Sequence, residues 1–263
     1  NMVSWFPPES ELALAHGDWL SEQRQGEQTE QRHHRTMAWL NPFKPEVQAL
    51  MGGLVVDLVR RYDVDGIQFD DHFSLPRTFG YDAQTRSRYQ NETGRPLPSQ
   101  ASDAQWSQWR ADQLTTALSR IHRAVKAVNP ELIVSIAPNQ YDFAHRHYLQ
   151  DWRTWMRRGL VDELIVQAYR MDHEDFLADL RRPEVREAQQ HIPTGIGILA
   201  GLRDRRISID QIQRQARAAQ AEGLGVSFFF YQSLWENASE SIAQRKSGFR
   251  SIFPQAVPRL ARL

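Results

Sequence analysis

The chain has 263 residues, of which 41% are hydrophobic and 24% are charged, and its formal net charge is zero. This is the composition of a globular protein long enough for one large core, and the charge balance does not favour nucleic acid or an anionic membrane as a partner. The chain has no cysteine, which excludes disulfides, thiolate catalysis and cysteine-based metal sites.

No apolar run approaches the roughly 18 residues that a membrane helix needs, so we expect no membrane-spanning segment in this piece. A signal peptide is not recognisable either. The chain opens on Asn1 and runs directly into strand-like residues. We therefore expect its natural N-terminus to lie upstream.

The first third of the chain alternates short regular elements with long polar segments. Residues 2–6 have a strand pattern and are followed by Pro7-Pro8. Residues 9–35 are polar and predict a long loop with one or two helical turns around 12–20, and we interpret His33 and His34 as loop surface rather than metal ligands. Residues 45–62 predict a helix, with proline at its first position and apolar residues at helical spacing.

A predicted strand at 65–70 is followed by a polar loop over 72–101 and a capping-box pattern at 102–105, which opens a helix to about residue 128. We interpret Trp106 and Trp109 on this helix as packing residues, because their spacing is helical. Four more predicted strands follow, at 133–138, 163–169, 192–199 and 225–231. The predicted helices between and after them cover residues 149–159, 174–190, 208–223 and a segment ending near 252.

These later strands recur at roughly thirty residues, the length of one βα unit, which predicts a parallel sheet. Small or polar residues stand inside several strands, and they favour a barrel over a flat sheet that is covered on both faces. They are Gln68, Ser135, Gln167, Gly197 and Ser227. We predict a (β/α)8 TIM barrel with about six of its eight strands present, as one domain over residues 1–253 with a tail at 254–263. The two remaining strands are expected upstream of Asn1.

Polar and aromatic residues stand at the predicted C-terminal tips of these strands, where barrel enzymes carry their catalytic residues. They are Trp5 or Phe6, Asp70, Asn139, Tyr169 and Tyr231. Carboxylates, amides and aromatic rings together suit a sugar ring, and glycoside hydrolysis commonly uses two carboxyl groups. The pattern therefore favours an enzyme acting on a polysaccharide or oligosaccharide.

The pair Asp70-Asp71 is the best candidate for chemistry. Side chains of a regular strand alternate between faces, which separates the two carboxylates and favours Asp70 as the inward, catalytic one. Asp71 begins the loop and is free to turn either way. Two alternatives remain at this point: the pair only caps a loop or meets an arginine, or it joins His72 in holding a divalent metal.

Several ordered blocks of the sequence resemble the glycosyl-hydrolase-like family 10, a set of bacterial (β/α)8 barrels. The blocks are Trp39-Leu40-Asn41-Pro42 followed by residues 45–47, residues 61–71, residues 134–139, residues 151–155, residues 159–162 leading to residues 167–169, and residues 225–231. The resemblance implies hydrolysis of glycosidic bonds in a bacterial glycan, of the type of peptidoglycan strands stripped of their peptides. It also implies an extracytoplasmic or membrane-anchored setting.

On this basis we predict Asp70 and Asp71 as catalytic residues, with no cofactor and no metal. The predicted substrate-binding residues are Trp5, Asn41, Gln68, His72, Asn139, Gln167, Tyr169, Tyr231 and Trp235.

Residues 65–72 are also similar to the fourth-strand motif of family-18 chitinases, which carries acids at the positions of Gln68, Asp70 and His72. In that family the last acid protonates the leaving group and the middle one steers a substrate acetamide. Since His72 stands in the place of the proton donor, the resemblance leaves two options: Asp71 is the displaced acid, or the acid comes from another loop.

The residue that supplies the second catalytic carboxyl group is left open, and two alternative functions remain. One is a barrel that binds glycans without cleaving them. The other is a metal-dependent polysaccharide hydrolase or deacetylase.

Overall fold

A computed structural model describes residues 4–32 and 34–255. Met2 and Val3 of the first predicted strand, His33, and residues 256–263 of the predicted tail lie outside the described residues. The chain divides into two compact units, one ending at Leu164 and one beginning at Ile165, and each is described by itself.

The first unit combines a small antiparallel sheet with parallel strands and helices. Its strands are β1 (Trp5–Phe6), β2 (Thr29–Arg32), β3 (Arg35–Trp39), β4 (Gly66–Asp70), β5 (Ile133–Ala137) and the start of β6 (Glu163–Gln167). Its helices are α1 (Glu11–Ala15), α2 (Pro45–Arg61), α3 (Ala83–Thr93), α4 (Ala104–Val128), α5 (Tyr141–Tyr148) and α6 (Trp152–Arg157), with one 3-10 turn at Gly17–Trp19.

The second unit continues the alternation of strand and helix. After the end of β6 its strands are β7 (Thr194–Leu199), β8 (Gly201–Leu202), β9 (Arg205–Arg206) and β10 (Gly225–Phe229). Its helices are α7 (His173–Leu180), α8 (Pro183–Gln189), α9 (Ile209–Ala221), α10 (Tyr231–Trp235) and α11 (Ile242–Ile252).

The long strands are parallel in both units, which confirms the predicted α/β class. In the first unit β4 pairs with β5 so that Asp70 stands opposite Ala137, and β5 pairs with the first residues of β6. In the second unit β7 pairs with β10, with Leu199 opposite Phe229. Parallel partners need a crossover connection between them, and helices supply it here. The described residues hold five such strands, fewer than the eight of a closed barrel.

The structure corrects the expected number of parallel strands, because the first predicted strand is not one of them. Trp5–Phe6 does not join the parallel strands; it pairs antiparallel with β3, and Trp5 stands opposite Trp39. On its other side β3 pairs with β2, in a hairpin that turns at His34, whose φ is +66°. The strand β2 is polar throughout and lacks the apolar alternation that marks a strand in sequence, which is why the sequence predicts a loop over 9–35.

Three predicted helices differ from those in the structure. Residues 174–190 form α7 and α8 because Pro183 begins a new helix. The helix predicted at 149–159 begins at Trp152, and a separate helix, α5, precedes it and ends at Tyr148; the next residue, Leu149, caps α5 with a left-handed backbone (φ +59°). The segment after 231 forms α10 and α11. In addition, α3 lies within the predicted loop at 72–101, capped by the side chain of Asp82.

Helix α4 supplies the largest part of the first unit's core. It packs against α2, and its apolar side chains at helical spacing are buried as predicted. Trp106 and Trp109 stack on each other at 5.4 Å and meet the rings of Tyr81 and Tyr89 edge-on. Both tryptophans are therefore packing residues, as their spacing indicated. Across the described residues, no helix has the length and apolar character that a membrane crossing requires.

Candidate active site

The C-terminal end of β4 carries the candidate site. Phe69 points into the core and is buried, while Asp70 on the opposite face is half-buried. The strand can lie close to β5 at its other end because Gly66 has no side chain: a Cβ there would stand 2.3 Å from the carbonyl oxygen of Ile133. The strand ends at Asp70, so Asp71 and His72 belong to the following turn.

Asp70 is bonded twice to His72. Its Oδ1 accepts the backbone N–H of His72 at 2.9 Å, and its Oδ2 lies 3.1 Å from the imidazole Nδ1. A carboxylate that accepts the N–H two residues on is a common way to stabilise a turn. The same contacts therefore shape the turn and orient the histidine.

Asp71 lies on the same side as Asp70. Its Oδ1 is 3.7 Å from His72 Nδ1, and its Oδ2 accepts a hydrogen bond from Asn139 Nδ2 at 3.0 Å. Strand alternation would have separated the two acids, but that rule ends with the strand itself. The structure thus brings together Asp70, Asp71, His72 and Asn139, all of them predicted site residues.

The pKa of Asp70 reflects this environment. Burial of the carboxyl raises its pKa, but hydrogen bonds from His72 and the charge of its ring lower it by more, so the pKa lies below its ordinary value. Asp70 is therefore a carboxylate at neutral pH. It suits the role of a nucleophile or base and does not suit the role of a proton donor.

Aromatic rings cover one face of His72. Trp5 stacks on the imidazole with ring centroids 5.1 Å apart and also stacks on Trp39 at 5.8 Å. The hydroxyl of Ser4 donates to the backbone carbonyl of His72. The antiparallel strand β1, although it is not a barrel strand, thus brings the predicted residue Trp5 to the site. Ser4 was not predicted, since a single serine before an aromatic residue carries no signal in sequence.

The side chain of Gln150 stabilises the turn that follows Asp70. This side chain is fully buried, and its Nε2 donates to the carbonyl oxygens of Asp70 at 3.1 Å and Phe73 at 3.2 Å. Sequence reasoning missed it, because a lone glutamine between two helices has no diagnostic pattern.

Two other predicted residues of the first unit have different surroundings. Asn41 is fully buried; its amide donates to Asp82 at 2.7 Å and Thr85 at 2.9 Å, which ties it to the start of α3. Gln68 is exposed and donates to Ser135 Oγ at 2.9 Å, and that hydroxyl donates to Glu163. Gln68, Ser135 and Glu163 thus form a chain of hydrogen bonds across β4, β5 and β6. On β4 this chain begins two residues before Asp70.

The remaining predicted residues belong to the second unit. Tyr169 stacks on Phe229 with centroids 5.3 Å apart, and Trp235 packs on Phe249 at 5.6 Å. Tyr231 is 70% exposed, so its ring is open to a ligand. Gln167 is half-buried at the end of β6.

Three groups at the turn could also hold a cation. One ligand atom each from Asp70, Asp71 and His72 lie within 4.8 Å of one another. Carboxylate and imidazole ligands suit several divalent metals.

The parallel strands and crossover helices form an α/β fold, and the solved structures that it resembles are TIM-barrel glycoside hydrolases. The glycoside hydrolase domain of PgaB (BpsB) from Bordetella bronchiseptica matches 85% of the chain and 68% of its own, with a TM-score of 0.66 and 16% identity. The α-galactosidase TtGalA from Thermus thermophilus matches 98% of the chain and 47% of its own, with a TM-score of 0.52 and 15% identity. At these identities the likeness concerns the fold.

The chain belongs to the glycosyl hydrolase-like 10 family, whose model matches residues 2–218. Among curated relatives, glycosyl hydrolase DigH of Escherichia coli O6:H1 is 31% identical over 147 residues, which are 49% of this chain and 31% of that protein. Glycosyl hydrolase YngK of Bacillus subtilis is 23% identical over 208 residues, 71% of this chain and 38% of that protein. The chain thus spans about a third of the length of these relatives.

Proposed function

We propose that this protein is a glycoside hydrolase that cleaves a bacterial glycan, with peptide-free peptidoglycan strands or a related amino-sugar polysaccharide as substrate. The observation that carries the proposal is the convergence of Asp70 and Asp71 on His72 at the carboxyl end of β4. The proposal is also supported by the membership of the chain in a glycosyl hydrolase-like family. An extracytoplasmic setting goes with such a substrate and is part of the same proposal.

In the proposed reaction Asp71 protonates the glycosidic oxygen as the bond from the anomeric carbon to that oxygen breaks. Asp70, already ionised, attacks the anomeric carbon or orients the substrate's acetamide for that attack. Water then attacks the anomeric carbon, displaces the carboxylate of Asp70 or the acetamide oxygen from it, and gives a proton to Asp71. Asn139 orients Asp71 through its 3.0 Å hydrogen bond.

The short separation of the acids supports retention of configuration. Inverting enzymes hold their carboxyl groups about 6.5–9.5 Å apart to admit a water, and retaining enzymes about 5–5.5 Å. One oxygen atom of each of Asp70 and Asp71 lies within 4.8 Å of the other, a separation shorter than the one that inverting enzymes use.

The proposal is tested by incubating the protein with peptide-free glycan strands and measuring new reducing ends over time. Their appearance, with the configuration of the first-formed product read by NMR, supports a retaining hydrolase. Tight binding of oligosaccharide with no product after long incubation contradicts the proposal and favours a glycan-binding protein.

The cluster of Asp70, Asp71 and His72 favours one second candidate, a metal-dependent polysaccharide hydrolase or deacetylase. That function predicts loss of activity with a chelator and recovery with a divalent metal. Full activity in chelator rejects it and leaves the acid-base mechanism in place.

A further inference from the structure

The second unit carries an open groove of about 580 Å³. Its volume lies within the roughly 300–1,000 Å³ of small-molecule sites. It is lined by Arg203, Phe230, Gln232, Glu236 and Asn237. None of these was among the predicted site residues, and four of the five lie beyond residue 218, where the family match ends.

The walls of the groove are held together by Asn237. Its Nδ2 donates to the backbone carbonyls of Leu202 at 2.8 Å and Arg203 at 3.2 Å, and its Oδ1 accepts from Arg206 Nε at 3.2 Å. These bonds join the hairpin of β8 and β9 to the segment after α10. A groove with fixed walls loses little entropy when a ligand binds.

Glycine allows the hairpin to approach α10 this closely. Gly201 has φ +149°, and a Cβ at this position would stand 2.9 Å from the Cβ of Ser233. Ser233 is fully buried. The spacing between the two walls is therefore set by backbone packing rather than by mobile side chains.

Both charged groups of the groove are available to a ligand. Over the part of the chain that the structure describes, neither the Arg203 guanidinium nor the Glu236 carboxylate makes a hydrogen bond or ion pair, and both residues are exposed. Phe230 offers a half-buried ring and Gln232 an exposed amide. A guanidinium pairs with a carboxylate through two parallel hydrogen bonds.

The sign of the local charge favours an acidic ligand. The hairpin carries Arg203, Arg205 and Arg206 against the single acid Asp204, so its net charge is three minus one, or +2. Adding Glu236 on the opposite wall leaves +1. A neutral sugar gains little from such a field, whereas a carboxylated one is attracted to it.

We infer that this groove binds a saccharide unit that carries a carboxylate, with Arg203 pairing with the acid and Phe230 covering the face of the ring. The inference rests on the proposed function, since that function makes a glycan the ligand. It adds the recognition of a negatively charged sugar by residues of the second unit.

Binding is measured by calorimetry in the full chain carrying Asp70→Asn, so that the ligand is not consumed. The probes are peptide-free oligomers of alternating N-acetylglucosamine and N-acetylmuramic acid, which have a carboxylate on every second sugar, and uncharged N-acetylglucosamine oligomers of the same length. The variants are Arg203→Gln, Glu236→Gln and, as a control, Arg205→Gln. The control makes the same charge change in the same hairpin outside the groove.

We expect the acidic oligomer to bind at least about tenfold more tightly than the neutral one, the magnitude of one charged pairing. Arg203→Gln should remove that preference, Arg205→Gln should change it less than about twofold, and Glu236→Gln should leave it intact or increase it. Equal binding of both oligomers, no binding of either, or a preference that survives Arg203→Gln overturns the inference. Cleavage by the unmodified chain, assayed in parallel, shows separately whether the proposed hydrolase activity exists.

Discussion

Asp70 Oδ2 lies 3.1 Å from His72 Nδ1, and Asp70 Oδ1 accepts the backbone N–H of the same residue at 2.9 Å. The histidine thus contacts the carboxylate through its ring and its backbone together. Asp71 reaches the same Nδ1 at 3.7 Å. The two carboxylates therefore share one imidazole nitrogen as a neighbour.

Replacing Asp70 by asparagine should abolish cleavage while the fold is retained. The amide keeps the size and one acceptor of the carboxylate but cannot act as a nucleophile or base, and we expect a rate loss of about 10²–10⁴-fold or more. The measurement is the release of reducing ends, with circular dichroism to verify folding. The control is Asp63→Asn, an exposed acid before β4. Unchanged turnover in Asp70→Asn would exclude Asp70 from the chemistry.

Replacing His72 by glutamine should move the acidic limb of the pH profile upward. His72 lowers the pKa of Asp70 against the opposing effect of burial, so removing its ring allows that pKa to rise. Activity that needs ionised Asp70 then begins to fall at a higher pH than in the unmodified protein. The check is kcat/KM measured from pH 3 to 8 in both proteins. An acidic limb at the same pH in both would show that Asp70 is not the group that titrates.

The same shift predicts how stability depends on pH. Because the folded-state pKa of Asp70 is depressed, its contribution to stability is present above the unfolded-state pKa of about 3.9. That contribution is lost as pH falls through the folded-state value. His72→Gln should therefore narrow the difference in stability between pH 6 and pH 3. Urea unfolding at both pH values measures it, and an unchanged difference would contradict the assigned cause.

Gln150→Met should destabilise the protein and impair catalysis without contact with substrate. The substitution leaves the carbonyls of Asp70 and Phe73 without the amide that they share, which costs about 1–3 kcal/mol in a buried setting. As a positioning residue, Gln150 should affect kcat more than KM. The control is Gln108→Met on the exposed side of α4. A stability loss with kinetics unchanged would limit Gln150 to a structural role.

Arg110→Lys should destabilise the protein, because Arg110 binds the long segment that precedes α4. The buried Arg110 guanidinium donates to the carbonyls of Arg77, Phe79 and Ala101 and lies 4.5 Å from the ring of Trp106. Lysine keeps the charge but lacks the planar fork, so we expect the free energy of unfolding to fall by about 3–6 kcal/mol for the loss of two hydrogen bonds to a charged group.

The matched control for Arg110→Lys is Arg123→Lys, an exposed arginine on the same helix whose Nε also donates to a backbone carbonyl. Urea unfolding of the two variants and the unmodified protein supplies the comparison. Equal stability of both variants would show that the contacts of Arg110 with the segment are dispensable.

The repeating pattern of the sequence determined the class of fold and the location of the candidate site. Apolar runs of about five residues separated by amphipathic helices require parallel strands with crossovers, and the strand at 65–70 is observed as β4 with Asp70 at its end. The sequence also predicted two helix starts correctly: Pro45 is the first residue of α2, and Ser208 caps α9. These features depend on a few neighbouring residues, so they can be predicted from the sequence.

Contacts between distant residues decided the rest. The polar strand β2 forms through backbone pairing with β3 and leaves no apolar signal. On its other side β3 pairs with β1, which brings Trp5 onto His72, 67 positions along the chain. The side on which Asp71 lies depends on its bond to Asn139, and the support of Gln150 depends on carbonyls some 80 positions away. Strand periodicity stops where β4 ends, and beyond that point only the tertiary structure sets the direction of a side chain.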